Sequence, residues 1–335
     1  MTTIVIITIV VAVLYDFLNG MNDAGNSIAT IVGTNVLPPK IAVLWAAFFN
    51  FVAFGIFYGS PVAHKIGTGI IMPGTLEKDT VFILCSLLGA GSWVLICARN
   101  GIPNSVSHAL IGGLIGPALI KFGPAAVNVP NVLTIVLFIA LAPLFGFIIG
   151  YFFMNLTLLI WGKKPPLKTD RYFRVFQLLS SAAFSIGHGG NDAQKTMGII
   201  FMLLLATGDP QYTSNPDHIP FWVALTCYTS IALGTLLGSG RIVKTLGRGL
   251  CHLKPIGGFC AETAGALTLF GVTLAGIPVS TTHTITGAIM GVGVTKRASS
   301  VKWKLAANIV VAWVLTIPAS MFFSALIYYV LKLFL

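Results

Sequence analysis

Two Asn-Asp pairs stand in a chain that carries little other charge. Asp23 lies in Gly20-Met21-Asn22-Asp23-Ala24, and Asp192 lies in Gly189-Gly190-Asn191-Asp192-Ala193, 169 positions later. A second element is also duplicated. Gly101-Ile102-Pro103-Asn104-Ser105-Val106-Ser107-His108 returns 175 positions on as Gly276-Ile277-Pro278-Val279-Ser280-Thr281-Thr282-His283. Proline cannot continue an incoming helix but suits the first turn of an outgoing one. Each Gly-Ile-Pro turn therefore points a helix N-terminus, with its free N–H groups and partial positive charge, at whatever lies beyond it. The hydroxyls of Ser105, Ser107, Ser280, Thr281 and Thr282, with the amide of Asn104, stand beside those N–H groups, a combination that suits a tetrahedral oxyanion. Asp23 and Asp192, with Asn22, Asn191, Ser105 and Ser280, offer the hard oxygen ligands that a cation such as sodium takes. Asn22, Asn191, Ser105 and Ser280 fall in both sets.

Structural readings stand beside these. Each Asn-Asp pair could cap a helix break, and Ser or Thr hydroxyls often bond back to carbonyls of the preceding turn. Duplication of both elements in the same order favours a site. If ionised, Asp23 and Asp192 repel an anion across a low-dielectric space, so they are expected to hold a cation, or protons, on which the anion rests. Glu262, a further acid inside an apolar segment, is also a cation-binding candidate, but it has no acidic counterpart in the first half, so any role is asymmetric. His108 and His283 match across the repeat and suit a proton relay or a hydrogen bond that fixes the turn. Lys195, one turn after Asp192, and Arg99, at the end of the segment before the first Gly-Ile-Pro turn, are auxiliary candidates for pairing with a carboxylate or contacting the anion.

The elements that must position these groups are membrane spans. The 335 residues are 56% hydrophobic and 9% charged, with a mean hydropathy of +0.91. A soluble chain of this length needs more charge to cover its surface. Apolar stretches fall at roughly 4–34, 41–59, 81–98, 103–120, 131–161, 175–206, 221–238, 258–275, 278–294 and 305–335. The run from Ile4 to Leu18 lacks a basic leader and a small-residue cleavage site, so it reads as a retained span. The five cysteines show no C-x-x-C pairing and read as buried thiols.

Net charge of +11 raises the question of nucleic acid, but its placement argues for membrane topology. The basic residues gather in 162–174, 239–257 and 295–304, whereas 60–80 is balanced, 207–220 is acidic and 117–130 holds Lys121 alone. Basic loops stay in the cytoplasm, which puts both termini outside in a multi-pass protein of the cell (inner) membrane. The fold class expected is all-α and polytopic, with two inverted repeats, broken helices, and two re-entrant hairpins meeting near the bilayer midplane. The first repeat spans 1–161, with hairpin 81–120 from the outer side. A short basic cytoplasmic linker follows at 162–174. The inverted second repeat spans 175–335, with hairpin 258–294 from the inner side. Pro143 and Pro318 match at the offset of 175. Inverted repeats with broken helices are the pattern of secondary transporters. A channel and a membrane hydrolase using His188, Asp192 and Ser185 are the other classes. The first fits poorly with tips that block one another, and the second with groups that occur twice.

With these residues in view, the chain resembles the inorganic phosphate transporter (PiT) family. The matching segments are Gly20-Met21-Asn22-Asp23-Ala24-Gly25-Asn26-Ser27, His188-Gly189-Gly190-Asn191-Asp192-Ala193-Gln194-Lys195, and the two hairpin segments Pro103–His108 and Pro278–His283. The likeness runs along the whole chain. It implies symport of inorganic phosphate with sodium, or with protons, and two hairpin tips that meet at the substrate. Tips that block one another favour alternating access, and the expectation is a transporter without enzyme activity, organic cofactor or nucleic-acid partner, with a homodimer left open. The rival substrate is sulfate or another tetrahedral oxyanion, which hydroxyls and amides alone do not separate from phosphate.

Overall fold

The computed structural model describes residues 2–59, 62–67, 69–72, 80–215, 218–238 and 240–334. They form thirteen α-helices in chain order: α1 (Thr3–Gly33), α2 (Pro39–Phe57), α3 (Val62–Gly67), α4 (Thr80–Asn100), α5 (Val106–Phe122), α6 (Val129–Trp161), α7 (Pro166–Ala206), α8 (Pro210–Thr213), α9 (Phe221–Leu236), α10 (Gly240–Lys244), α11 (Pro255–Leu274), α12 (Thr281–Val294) and α13 (Trp303–Lys332). Among the described residues six helices are long and apolar enough to cross a membrane, or seven if the bent pair of α9 and the helical turn after it counts as one span. The helices point large apolar side chains outward. Leu133, Leu137, Ile148 and Phe152 of α6, and Val311, Val314, Leu315 and Phe322 of α13, are all exposed. The inward faces instead bury Asn, Asp, Ser, Thr and His. That distribution suits lipid outside and polar groups sheltered within.

The helices pack in matching pairs. α1 lies on α9 as α7 lies on α2, α5 lies on α13 as α12 lies on α6, and each of α4 and α11 packs on the helix that follows it. Two isolated bridges repeat the pattern. Ile71 pairs with Val127, and Cys251 with Val301, each beside a short 3-10 turn at Pro124–Ala126 and Ala298–Ser300. Gly101 (φ +67°) and Gly276 (φ +68°) end the first legs of the two hairpins in the left-handed region, where glycine turns the chain at least cost.

Two expectations are corrected. The helices do not break at the Asn-Asp pairs: α1 runs unbroken through Asn22 and Asp23, and α7 through Asn191 and Asp192. Their backbone groups stay in the helical ladder, and the side chains of Asp23, Asn191 and Asp192 find partners on other helices. The breaks lie at the Gly-Ile-Pro turns, where proline leaves no N–H to continue the first leg. The basic stretch 162–174 is also mostly helical, because Pro166 sits at the start of α7 and leaves a turn of only a few residues. Glu77, Lys78, Asp79 and Asp217, used in the loop-charge tally, lie outside the described residues.

Candidate functional site

The site begins with two caps. Ser105 is the N-cap of α5, and its hydroxyl accepts the His108 N–H at 3.2 Å. Ser280 caps α12 in the same way, accepting the His283 N–H at 3.3 Å. The two tips also clasp each other reciprocally. Ser107 Oγ donates to the Val279 carbonyl at 3.2 Å, and Thr282 Oγ1 donates to the Asn104 carbonyl at 3.1 Å. Ser107 and Thr282 are partners at the offset of 175, as are Asn104 and Val279. The histidines stand behind this clasp with ring centroids 4.9 Å apart, and His283 stacks on Trp313 at 3.7 Å. They brace the tips and do not touch the carboxylates.

Both aspartates reach the clasp. Thr281 Oγ1 lies 3.2 Å from Asp23 Oδ2 and 3.3 Å from Asp192 Oδ2, so two motifs far apart in sequence converge on one hydroxyl. Asn22 Nδ2 donates to Asp23 Oδ1 at 2.6 Å. Its counterpart Asn191 instead donates to Thr273 Oγ1 at 3.0 Å and the Ile277 carbonyl at 3.4 Å, tying α7 to the end of α11. Lys195 Nζ sits 2.5 Å from Asp192 Oδ1, 2.5 Å from Ser107 Oγ and 2.7 Å from the Val279 carbonyl. Asp23, Asp192 and Lys195 are each at most 3% exposed.

Two side chains of this centre, Asn26 and Asn50, were not singled out from sequence, and His188 entered there only through its motif and the hydrolase reading. Asn26 donates to Thr282 Oγ1 at 2.8 Å, and it occupies the position 169 residues before Lys195. That offset was the available signal. His188 places Nε2 3.3 Å from Asp192 Oδ2 and 4.0 Å from Asp23 Oδ2, and these three residues form a cluster able to hold a metal ion. Asn50, an isolated polar residue of α2, faces His188 Nδ1 at 3.1 Å and donates to Thr235 Oγ1 at 2.9 Å. Thr235 Oγ1 in turn donates to the Ile231 carbonyl. This chain of donors presents the Asn50 oxygen to the ring, so Nδ1 carries the hydrogen and the Nε2 lone pair faces the carboxylates.

The remaining candidates lie elsewhere. Arg99 is exposed at the end of α4, where its backbone carbonyl accepts from Arg241 Nη1, so it does not join the centre. Glu262 is fully buried in a separate cluster, accepting from Thr30 Oγ1 at 2.5 Å, Ser180 Oγ at 2.6 Å and Gln177 Nε2 at 3.1 Å. Thr30 lies one helical turn beyond Asn26 on α1, so this second cluster adjoins the centre without sharing a hydrogen bond with Asp23 or Asp192 in these contacts.

The centre holds more polar atoms than its own bonds satisfy. Asn22 Oδ1, Asn26 Oδ1, Asn191 Oδ1, both polar atoms of Asn104 and His188 Nε2 are buried without a hydrogen-bond partner. Buried polar groups are normally paired. A cluster of orphaned oxygens and an amide donor around two carboxylates fits a polar ligand accompanied by a cation. The residues present suit sodium by oxygen donors, and a proton by the carboxylates and the Nε2 lone pair.

Comparison with known proteins points the same way. A model of the "Phosphate transporter family" matches residues 19–324. A protein of Rhizobium meliloti (strain 1021), named "Probable low-affinity inorganic phosphate transporter", is 51% identical over 96% of this chain and 94% of its own length. A protein of Bacillus subtilis (strain 168) with the same name is 40% identical over 98% and 97%. A solved structure described as "The sodium-dependent phosphate transporter" superposes with a TM-score of 0.91 at 26% identity, covering all of both chains.

Proposed function

We propose, from the premise that the chain belongs to the phosphate transporter family, that it carries inorganic phosphate through the membrane in symport with a cation. That it is a transporter and not an enzyme follows from the family. Symport and the identity of the cation are our reading. The observation that carries it is the meeting of both carboxylates and a hairpin-tip hydroxyl at Thr281, beside unsatisfied polar atoms.

Phosphate would rest against the N-termini of α5 and α12, with Asn104, Ser105, Ser107, Ser280, Thr281, Thr282, Asn22 and Asn191 as donors and orienting groups. Cation places would lie at Asp23 and at Asp192, with oxygens of the neighbouring Asn and Ser. Asp23, Asp192 and Lys195 sum to one negative charge with His188 neutral, so an incoming anion meets repulsion unless a cation arrives with it. By linkage each then raises the affinity of the other. Sodium is the favoured ion because the sodium-dependent neighbour shares the whole fold and most of the donors are hard oxygens. The second reading is proton coupling, which the Nε2 lone pair of His188 favours.

Alternating access follows if the two halves are inverted copies whose hairpins enter from opposite faces. The paired helix packing and the reciprocal tip clasp support that arrangement. In it the linker is cytoplasmic, both termini are outside, and the chain lies in the cell (inner) membrane. Opening the clasp toward one face at a time would expose the centre to that side. Uptake of labelled phosphate into proteoliposomes, with sodium and pH gradients imposed separately, tests the coupling. Uptake that is indifferent to both gradients sinks symport, and equal uptake of labelled sulfate sinks the substrate assignment.

A further inference from the structure

The two halves duplicate the carboxylate but not what balances it. Lys195 Nζ is held by a carboxylate oxygen, a hydroxyl and a carbonyl at 2.5, 2.5 and 2.7 Å, which is an all-oxygen shell of the kind that encloses a small hard cation. An ammonium has three donors and no acceptor, and this geometry uses all three. Lys195 therefore has no donor left for an anion. In the first half the equivalent position is Asn26, which is neutral. Its contact is nonetheless the mirror of the lysine's: Asn26 donates to Thr282 Oγ1, and Lys195 donates to Ser107 Oγ, the residue that matches Thr282 in the other hairpin. Asp23 is left with hydrogen bonds from Asn22 and Thr281, and His188 at 4.0 Å.

We infer that Lys195 is a tethered cation that permanently fills the second of two equivalent cation places, so that one mobile cation, held at Asp23, accompanies each phosphate. The inference rests on the coupled-transport reading above and adds the stoichiometry. A tethered charge cannot cross the membrane, so it contributes nothing to the driving force. It still neutralises Asp192 and pins that carboxylate to both hairpin tips, through Ser107 of one and Val279 of the other. The cost of burying the ammonium is offset by its paired carboxylate and full hydrogen bonding.

The test replaces Lys195 by the residue of the other half. Phosphate affinity of the purified protein is measured against sodium chloride at fixed pH, then against pH without sodium. The slope of log affinity on log cation concentration reports the number of coupled cations by linkage. The wild-type protein should give a slope of about one, and Lys195→Asn about two, because the vacated place at Asp192 must now be filled from solution. Lys195→Arg keeps the charge and should stay at about one. If Lys195→Asn does not fold, the double variant Asp192→Asn/Lys195→Asn removes both charges and should retain a slope of about one. A wild-type slope of two, or single and double variants with the same slope as each other, overturns the lysine assignment and leaves coupling intact. A wild-type slope of zero for both cations removes the coupled-transport reading itself, and the inference with it.

Discussion

The first and second halves of this chain build the same scaffold and then equip it differently. Scaffold features recur at fixed offsets: the serine caps at Ser105 and Ser280, the clasp of Ser107 with Val279 and of Thr282 with Asn104, and the left-handed glycines at 101 and 276. The equipment does not. Both carboxylates share the Thr281 hydroxyl, but Asp192 also has an ammonium and an imidazole within reach, whereas Asp23 has an amide and the more distant edge of the same imidazole. Glu262 bonds to Thr30, Gln177 and Ser180, while the first-half position 175 residues before it is Leu87, packed in the apolar core. Duplication thus explains how the site is shaped. The charge balance of the centre resides in the residues that diverged.

The comparison breaks first, if it breaks, at the aspartates. Removing one partner of a buried ion pair costs about 3–5 kcal/mol, because the other charge is left uncompensated. Asp192→Asn should therefore destabilise the protein by about that amount, whereas Asp23→Asn, which forms no comparable pair, should cost about 1 kcal/mol in weakened hydrogen bonds. Asp23→Asn should in addition lose cation-driven phosphate uptake. Thermal unfolding of the purified variants reads the difference, and equal losses at the two positions would show that Lys195 is not committed to Asp192.

A smaller contrast is expected at the clasp. Ser107 accepts from the Lys195 ammonium as well as donating to Val279, so Ser107→Ala should cost about 1.5–3 kcal/mol, the range for hydrogen bonds to charged groups. Thr282 has only neutral partners, and Thr282→Ala should cost about 1 kcal/mol. Unfolding midpoints of the two variants, measured together, rank them. A larger loss at Thr282 would place the ammonium elsewhere.

Helix packing should show no contrast at all. A Cβ on Gly20 of α1 would run into the Ile231 carbonyl of α9, and a Cβ on Gly189 of α7 would stand 2.5 Å from the Asn50 carbonyl of α2. These glycines match at the offset of 169. Gly20→Ala and Gly189→Ala should each cost about 1–3 kcal/mol through overpacking, within error of one another. A one-sided effect in unfolding measurements would mean that the halves differ in their backbone as well as their side chains.

The sequence made the scaffold legible because its signals are local. Apolar runs place the ends of α6 and α9 to within about two residues of where hydrogen bonding puts them, and Gly-Ile-Pro marks both hairpin turns. Asp23, Asp192 and the tip hydroxyls were legible because each occurs twice. The Asn-Asp pairs were misread as helix breaks for a physical reason. A run of Gly, Asn and Asp weakens a helix in isolation, but here partners on other helices hold Asp23, Asn191 and Asp192 while the ladder continues. Arg99 looked well placed on a one-dimensional map, since it precedes the tip by a few residues, yet the turn of the helix sends it outward. The bonds of Glu262 reach back 232 and 82 to 85 positions, and no spacing in the chain foretells them. Asn26 and Asn50 were overlooked because a neutral amide in an apolar segment gives no charge signal.

The smallest effect, at the two caps, separates shaping the site from binding within it. Ser105 and Ser280 each accept a backbone N–H through a lone pair, at 3.2 and 3.3 Å, and each keeps a hydroxyl proton that can be given to an oxyanion. Substitution by alanine removes both functions, so Ser105→Ala and Ser280→Ala should each cost about 1 kcal/mol of stability, the usual loss for an N-cap serine, together with phosphate affinity. Substitution by aspartate keeps the cap acceptor, and the helix N-terminus favours its charge, but it offers no donor and adds repulsion. Ser105→Asp and Ser280→Asp should therefore hold the wild-type unfolding midpoint while losing phosphate binding. Because the caps are alike in both halves, the two positions should respond equally in both measurements. Aspartate variants that still bind phosphate would assign these hydroxyls to the hairpins alone. A response at only one position would carry the divergence of the two halves from the carboxylates into the anion site itself.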